Sequence, residues 1–126
     1  MNHYVAYIRK DTDSDYGVEF PDLPGCITAG RTLDEARAMA AEALAGHLAT
    51  LESLGEAVPT PSTLEALKDD PHQAGATLVL IDLPDAFLKA ERVNVMIPRH
   101  LLGRIDAASG GNRSRFLVEA AEAKLG

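Results

Sequence analysis

The chain has a single cysteine, Cys26, so no disulfide can form within it and burial and hydrogen bonding must hold the fold. A lone thiol with no resolving partner or adjacent activating base reads as a small buried residue after a glycine turn, and it points to a reducing compartment. No apolar run approaches the ~18 residues needed to cross a bilayer, and Met1 to Lys10 lacks the apolar stretch of a secretion signal. These absences predict a cytoplasmic protein with no membrane partner. The four histidines, His3, His47, His72 and His100, show neither His-x-x-x-His nor Cys-His spacing, which argues against zinc. Internal repeats and low-complexity segments are also missing.

Asp11, Asp13 and Asp15 have the alternating spacing that opens a calcium loop, and Asp22 falls twelfth counting from Asp11. However, the sixth position, which must be glycine, is Tyr16, and the last acid sits in a proline turn, so a solvated hairpin turn is the better reading. Two-metal nuclease chemistry needs several carboxylates converging from different strands. Only Glu19 and Asp22 lie in or beside the early strands. The expectation is a protein without metal, cofactor or catalytic residues, which acts by binding.

What is present is a charge split. Of the 126 residues, 46% are hydrophobic, as in an ordinary globular protein. Met1 to Ala90 carries six Lys or Arg against fifteen Asp or Glu, a net of −9, whereas Glu91 to Gly126 carries six against four, a net of +2. Segregated charge lets one end approach phosphates while the other seeks basic partners.

In the acidic part, Tyr4 to Ile8 and Tyr16 to Phe20 read as a hairpin, and Cys26 to Ala29 as a third strand after the turn Pro21-Asp22-Leu23-Pro24-Gly25. Thr32-Leu33-Asp34-Glu35 is a capping box that opens a long helix. Along that helix Leu33, Ala36, Ala40, Leu44, Leu48 and Leu51 form one apolar stripe, and Gly55 supplies a stop. Glu56 to Gly75 reads as a connection holding a short helix headed by a second capping box, Ser62 to Glu65. Thr77 to Leu83 is the fourth strand and Pro84 ends it.

The basic tail follows a hinge at 85–91. In Arg92 to Pro98, Val93, Val95 and Ile97 fall on one strand face and Arg92, Asn94 and Met96 on the other. Two amphipathic helices follow, about 98–108 and 113–124, separated by Ser109-Gly110-Gly111-Asn112. This tail is too short to bury a core alone, and its strand has no second strand to pair with. Two copies solve both problems by forming an antiparallel ribbon across a two-fold axis. Val93, Val95, Ile97, Leu101, Ile105, Phe116, Leu117 and Ala120 would form the dimer core. Arg92, Asn94 and Met96 would then face a major groove, where Arg can pair with guanine and Asn with adenine. Arg99, Asn112, Arg113 and Ser114 are the candidate phosphate contacts, with Asn112 also capping the second helix. Over 92 to about 125 this order of residues resembles the ribbon-helix-helix family of bacterial repressors.

The combination Tyr16-Gly17-Val18-Glu19-Phe20-Pro21-Asp22-Leu23-Pro24-Gly25-Cys26, Thr28, Gly30 and Thr32-Leu33-Asp34-Glu35-Ala36 is similar to the HicB family of bacterial antitoxins, and the resemblance spans essentially the whole chain. It implies an α+β protein: a degenerate ribonuclease-H-like β-β-β-α-β domain over 1–84, then a dimeric ribbon-helix-helix module over 92–126. It also implies that the first domain binds and silences a small HicA-type toxin that cuts messenger RNA. The tail would bind the operator of its own operon and repress it. Tyr16, Glu19, Phe20 and Asp22 are the candidate toxin contacts, and assembly of tail dimers into tetramers is left open. Two other classes compete: a DNA-binding regulator whose first domain senses a small molecule, and a residual nuclease.

Overall fold

Tyr4, Val5, Ala6, Tyr7 and Ile8 are all buried, so the first strand has no wet face. The structure, a computed structural model, describes residues 2–126. Strand β1 (His3–Arg9) pairs antiparallel on one side with β2 (Tyr16–Glu19) and on the other with β4 (Thr77–Asp82). Strand β3 (Ile27–Gly30) adds antiparallel to β2, giving a four-stranded sheet of order β3-β2-β1-β4. An interior strand covered on both faces reads as a continuous apolar run, which is the composition of Tyr4 to Ile8.

Helix α1 (Leu33–Ser53) covers one face. Ala36, Ala40, Leu44 and Leu48 interlock with Tyr4, Ala6, Ile8, Val18, Phe20 and Ile81 in the main core. The expected stripe runs one residue too far at its start, because Leu33 sits in the first turn and is 45% exposed. Thr32 caps the helix, its Oγ1 accepting from the Glu35 amide at 3.0 Å. The Glu35 carboxylate lies 3.8 Å from Arg31, so it serves the local ion pair.

The segment 56–76 does more than connect. Helix α2 (Leu64–Lys68) and a 3-10 turn at Pro71–Gln73 fold over the opposite sheet face, where Leu67, Ala76 and Leu78 close on Val5 and Tyr7. Three polar ties fasten the segment 56–76, the first of them on the α1 side, where Tyr4 belongs to the main core. The Tyr4 hydroxyl donates to the Pro59 carbonyl, and the Tyr7 hydroxyl donates to Asp70 Oδ2 at 2.8 Å. Ser62 donates its amide and its hydroxyl to the Asp22 carboxylate, at 2.7 and 2.6 Å. Because Ser62 is used in this way, the α2 cap falls not to Ser62, as the sequence pattern suggests, but to Thr63, which accepts from the Ala66 amide.

Burial, reinforced by the bond to Asp70, pushes the Tyr7 hydroxyl up to about 12 from its usual 10. A raised tyrosine pKa means that folding favours the neutral phenol. Its contribution is therefore fully present below pH 10 and is lost as pH rises through about 12. At about 1.4 kcal/mol per unit, this is a loss on the order of 2 to 3 kcal/mol across that window. Urea titrations of parent and Tyr7→Phe between pH 9 and 12 should show the parent declining more steeply than the variant. Parallel curves would remove Tyr7 from the account.

The chain divides into two compact units, Met1–Ala90 and Glu91–Gly126. Asp85–Leu88 forms a helical turn, α3, and Phe87 packs on the main core. Part of the stretch 85–91, expected as a hinge, is therefore helical and packed on the first unit. In the second unit α4 (Arg99–Ser109) and α5 (Arg113–Leu125) form a helical hairpin. Gly110 ends α4 at φ 63, a left-handed conformation that costs glycine least. Residues 92–97, expected as a strand, belong to no ladder in the single chain. A strand is defined by its partner's hydrogen bonds, and one copy supplies no partner.

Candidate binding surfaces

In the first unit, β2 and the loop after it position the four nominated contacts. Tyr16 is half-buried against the main core, with the Lys10 ammonium 5.7 Å from its ring centroid. Glu19 pairs with the Arg9 guanidinium at 2.6 Å, and both side chains remain partly exposed. Phe20 is committed inward, and the partly exposed Asp22 is engaged by Ser62. Phe20 is only 3% exposed and belongs to the core, because alternation along β2 puts it on the α1 side with Val18. The two Asp22 oxygens accept from Ser62, which makes Asp22 the anchor of the cover. Cys26 is buried as expected, and burial raises its thiol pKa, which keeps the reactive thiolate scarce.

A cross-strand row runs Tyr7, Glu19, Ile27 on the face opposite α1, since directly paired residues share a face. The cover reaches Tyr7 but stops short of β3, leaving Ile27 70% exposed. Beside it is a groove of about 280 Å³, bounded by Glu19, Pro21, Gly25, Asp70 and His72. Sequence reasoning alone does not find Ile27, Asp70 and His72. Ile27 could have been found from its place on an edge strand, but the arrival of Asp70 and His72 beside it depends on how 56–76 folds back.

In the second unit, Arg92, Asn94 and Met96 are exposed, but so are their neighbours, Val93 at 71% and Val95 at 65%. Ile97, Phe116 and Leu117 are half-buried, Leu101 and Ala120 are exposed, and Ile105 is the residue that is buried. One copy therefore leaves most of its apolar residues uncovered. Asn112 caps α5, its Oδ1 accepting from the Arg115 amide at 3.0 Å. Arg113 and Ser114 sit on the first turn of α5, and Arg99 on the first turn of α4. A further residue enters this site: Asp106 on α4 accepts from Arg113 Nε and Nη2 at 2.7 and 2.9 Å. The guanidinium holds the Asp106 carboxyl below its usual range. No sequence spacing announces that bidentate pair, because it closes across the Gly110-Gly111 turn.

Among the described residues no helix is long and apolar enough to cross a membrane. Residues 4–121 match the family model of the HicB-like antitoxin of bacterial toxin-antitoxin systems. An uncharacterized 14.9 kDa protein of Haemophilus phage HP1 is 36% identical over 129 aligned positions, covering 97% of this chain and 96% of the phage protein. The crystal structure of the Burkholderia pseudomallei antitoxin HicB is 41% identical, superposes with a TM-score of 0.67 and covers all of both chains. A chain of the HicA3 and HicB3 toxin-antitoxin complex is 29% identical with a TM-score of 0.58, covering 65% of this chain and 98% of its own length. With a family match over nearly the whole chain and a full-length structural relative at 41% identity, the chain belongs to the HicB-like antitoxin family.

Proposed function

We propose that this protein neutralises a HicA-type toxin through its first unit and represses its own operon through a dimeric ribbon-helix-helix tail. Family membership and the likeness to a chain of the HicA3 and HicB3 complex support the first half. That likeness covers about two thirds of the chain, close to the share held by Met1–Ala90. The charge fits as well: a protein that grips RNA presents positive surface, and a domain of net −9 can be steered onto it and occlude it. Neutralisation by occlusion requires no turnover, so the four-stranded sheet acts as a ribonuclease-H-like scaffold without its chemistry.

The second half rests on the uncovered apolar residues of the tail. Val93 and Val95 stand exposed on a segment whose backbone lacks a strand partner, and a second copy supplies both burial and hydrogen bonds. The resulting ribbon presents Arg92, Asn94 and Met96 twice, at the width a major groove admits. Arg99, Asn112 and Ser114 would flank the phosphates at the helix starts. Arg113 uses Nε and Nη2 on Asp106, which leaves Nη1 to reach a phosphate while Asp106 offsets part of its charge.

Co-expression of the full chain with a small basic HicA-type protein, sought in the reading frame beside its own, tests the reading. The two should co-purify, the complex should shift operator duplex, and growth arrest by the basic protein should be relieved. A first unit that bound a small metabolite and ignored the basic protein would instead favour a ligand-sensing regulator.

A further inference from the structure

The face of the sheet opposite α1 is half covered and half open, and the boundary is sharp. On the β1–β4 side, Val5, Tyr7, Leu67 and Leu78 are closed over by the segment 64–76. On the β2–β3 side no described residue covers Gly17, Ile27 or Ala29. Gly17 and Ala29 are exposed and have almost no side chain, so Ile27 stands proud between two depressions. A large aliphatic residue 70% exposed on a sheet face is unusual only when its surroundings could bury it, and here a concave surface lies on either side. The rim is acidic. Glu19 and Asp70 border one depression, and the turn holding the exposed Asp11, Asp13 and Asp15 follows directly from Arg9, which borders the other.

We propose that this open half-face, centred on Ile27, is where the basic toxin docks, an assignment that rests on the antitoxin reading above. The chemistry is that of a protein anchor: an apolar centre that excludes water, ringed by carboxylates that receive Lys or Arg from the partner. The charge on both sides selects the occupant. A unit of net −9 repels a second copy of itself and repels nucleic acid, and it attracts a basic protein. The Arg9–Glu19 pair fixes the Glu19 carboxylate at the edge of the apolar centre, so that charge is positioned before the partner arrives. Glu19 fits this surface as a neighbour, whereas Tyr16 and Phe20 lie on the α1 side of the sheet with the main core and Asp22 ties to Ser62.

The test uses the full chain, the HicA-type protein with which it co-purifies, and two substitutions of exposed aliphatic residues. Ile27→Lys adds a like charge at the proposed anchor, and Leu80→Lys does the same on β4, where Leu80 is 43% exposed on the covered half of the same face. Calorimetric titration should show Ile27→Lys weakened at least about a hundredfold and Leu80→Lys within about threefold of the parent, with unchanged melting curves for both. If Ile27→Lys binds as the parent does, or if Leu80→Lys loses as much, the toxin docks elsewhere and this assignment fails while the antitoxin reading stands. If the toxin-free protein changes its oligomeric mass with Ile27→Lys, the occupant is a second copy and the assignment also fails. A parent chain that does not bind the basic protein overturns the antitoxin reading and this assignment with it.

Discussion

Val95→Asp should abolish both self-association of the tail and operator binding while leaving the first unit intact. In the single chain Val95 is 65% exposed, so the substitution removes little contact within one copy. Any loss of association therefore reports burial against another copy. In the proposed dimer the ribbon places two such residues inside, and each carboxylate would be buried without a partner at a cost on the order of several kcal/mol. Two copies together weaken the dimer by more than roughly a thousandfold, since each 1.4 kcal/mol is a factor of about ten. Sedimentation equilibrium should show a shift to monomer, and duplex shifts should vanish at every salt concentration. A Val95→Asp protein that remains dimeric through residues 91–126 would refute the ribbon.

The opposite face of the same segment separates reading from assembly. Arg92→Ala and Asn94→Ala should leave association unchanged and lose about 1 to 3 kcal/mol of discrimination per base contact. Comparing operator with scrambled duplex measures that difference directly. Arg113→Ala should weaken both duplexes alike, and by less than a free arginine would, because Asp106 already balances part of its charge. If the strand variants discriminate as the parent does, a helix reads the DNA and the exposed Arg92 and Asn94 are only a solvated face.

The elements legible in the sequence were those specified by near neighbours. Alternation and turn residues located β1, β2 and β3, Thr32 announced α1, and Asn112 announced α5. What escaped depends on distant partners. Asp22 and Ser62 are forty residues apart, and Tyr7 and Asp70 sixty-three, so the cover on the second sheet face is invisible in a segment whose local composition reads as a loop. That distance also hides the bonds from Ser62 to the Asp22 carboxylate. Phe20, nominated beside a conspicuous loop, lies in the core with Val18, where strand alternation puts it. The stretch 92–97 is the converse case, where the sequence pattern describes a strand that one chain cannot complete.

Gly30→Val should unfold the first unit, whereas Gly46→Ala, sixteen residues later, should stabilise it. Gly30 ends β3 where the chain passes under the start of α1. A Cβ there would lie 2.4 Å from the Ala36 nitrogen, 2.7 Å from its Cα and 2.8 Å from the Glu35 carbonyl carbon. All three are helix backbone, so relief requires shifting α1, which carries Ala36, Ala40, Leu44 and Leu48 into the core. Overpacking typically costs about 1 to 3 kcal/mol when side chains can adjust, and here none can. With a second branch on the added carbon, the loss should approach the roughly 5 to 15 kcal/mol that holds a domain together. Gly46 lies within α1 with nothing within 4 Å of the position an alanine methyl would take, so alanine there adds no clash. It limits the freedom of the unfolded chain and should gain about 0.5 to 1 kcal/mol. Urea unfolding of the two full-length variants measures both signs. The division of the chain predicts a further contrast: Gly30→Val should lose relief of toxin arrest yet keep tail association and operator binding, and Gly46→Ala should keep all three. If Gly30→Val melts as the parent does, the close approach of β3 to α1 is wrong. If it abolishes tail association as well, the two units do not fold independently.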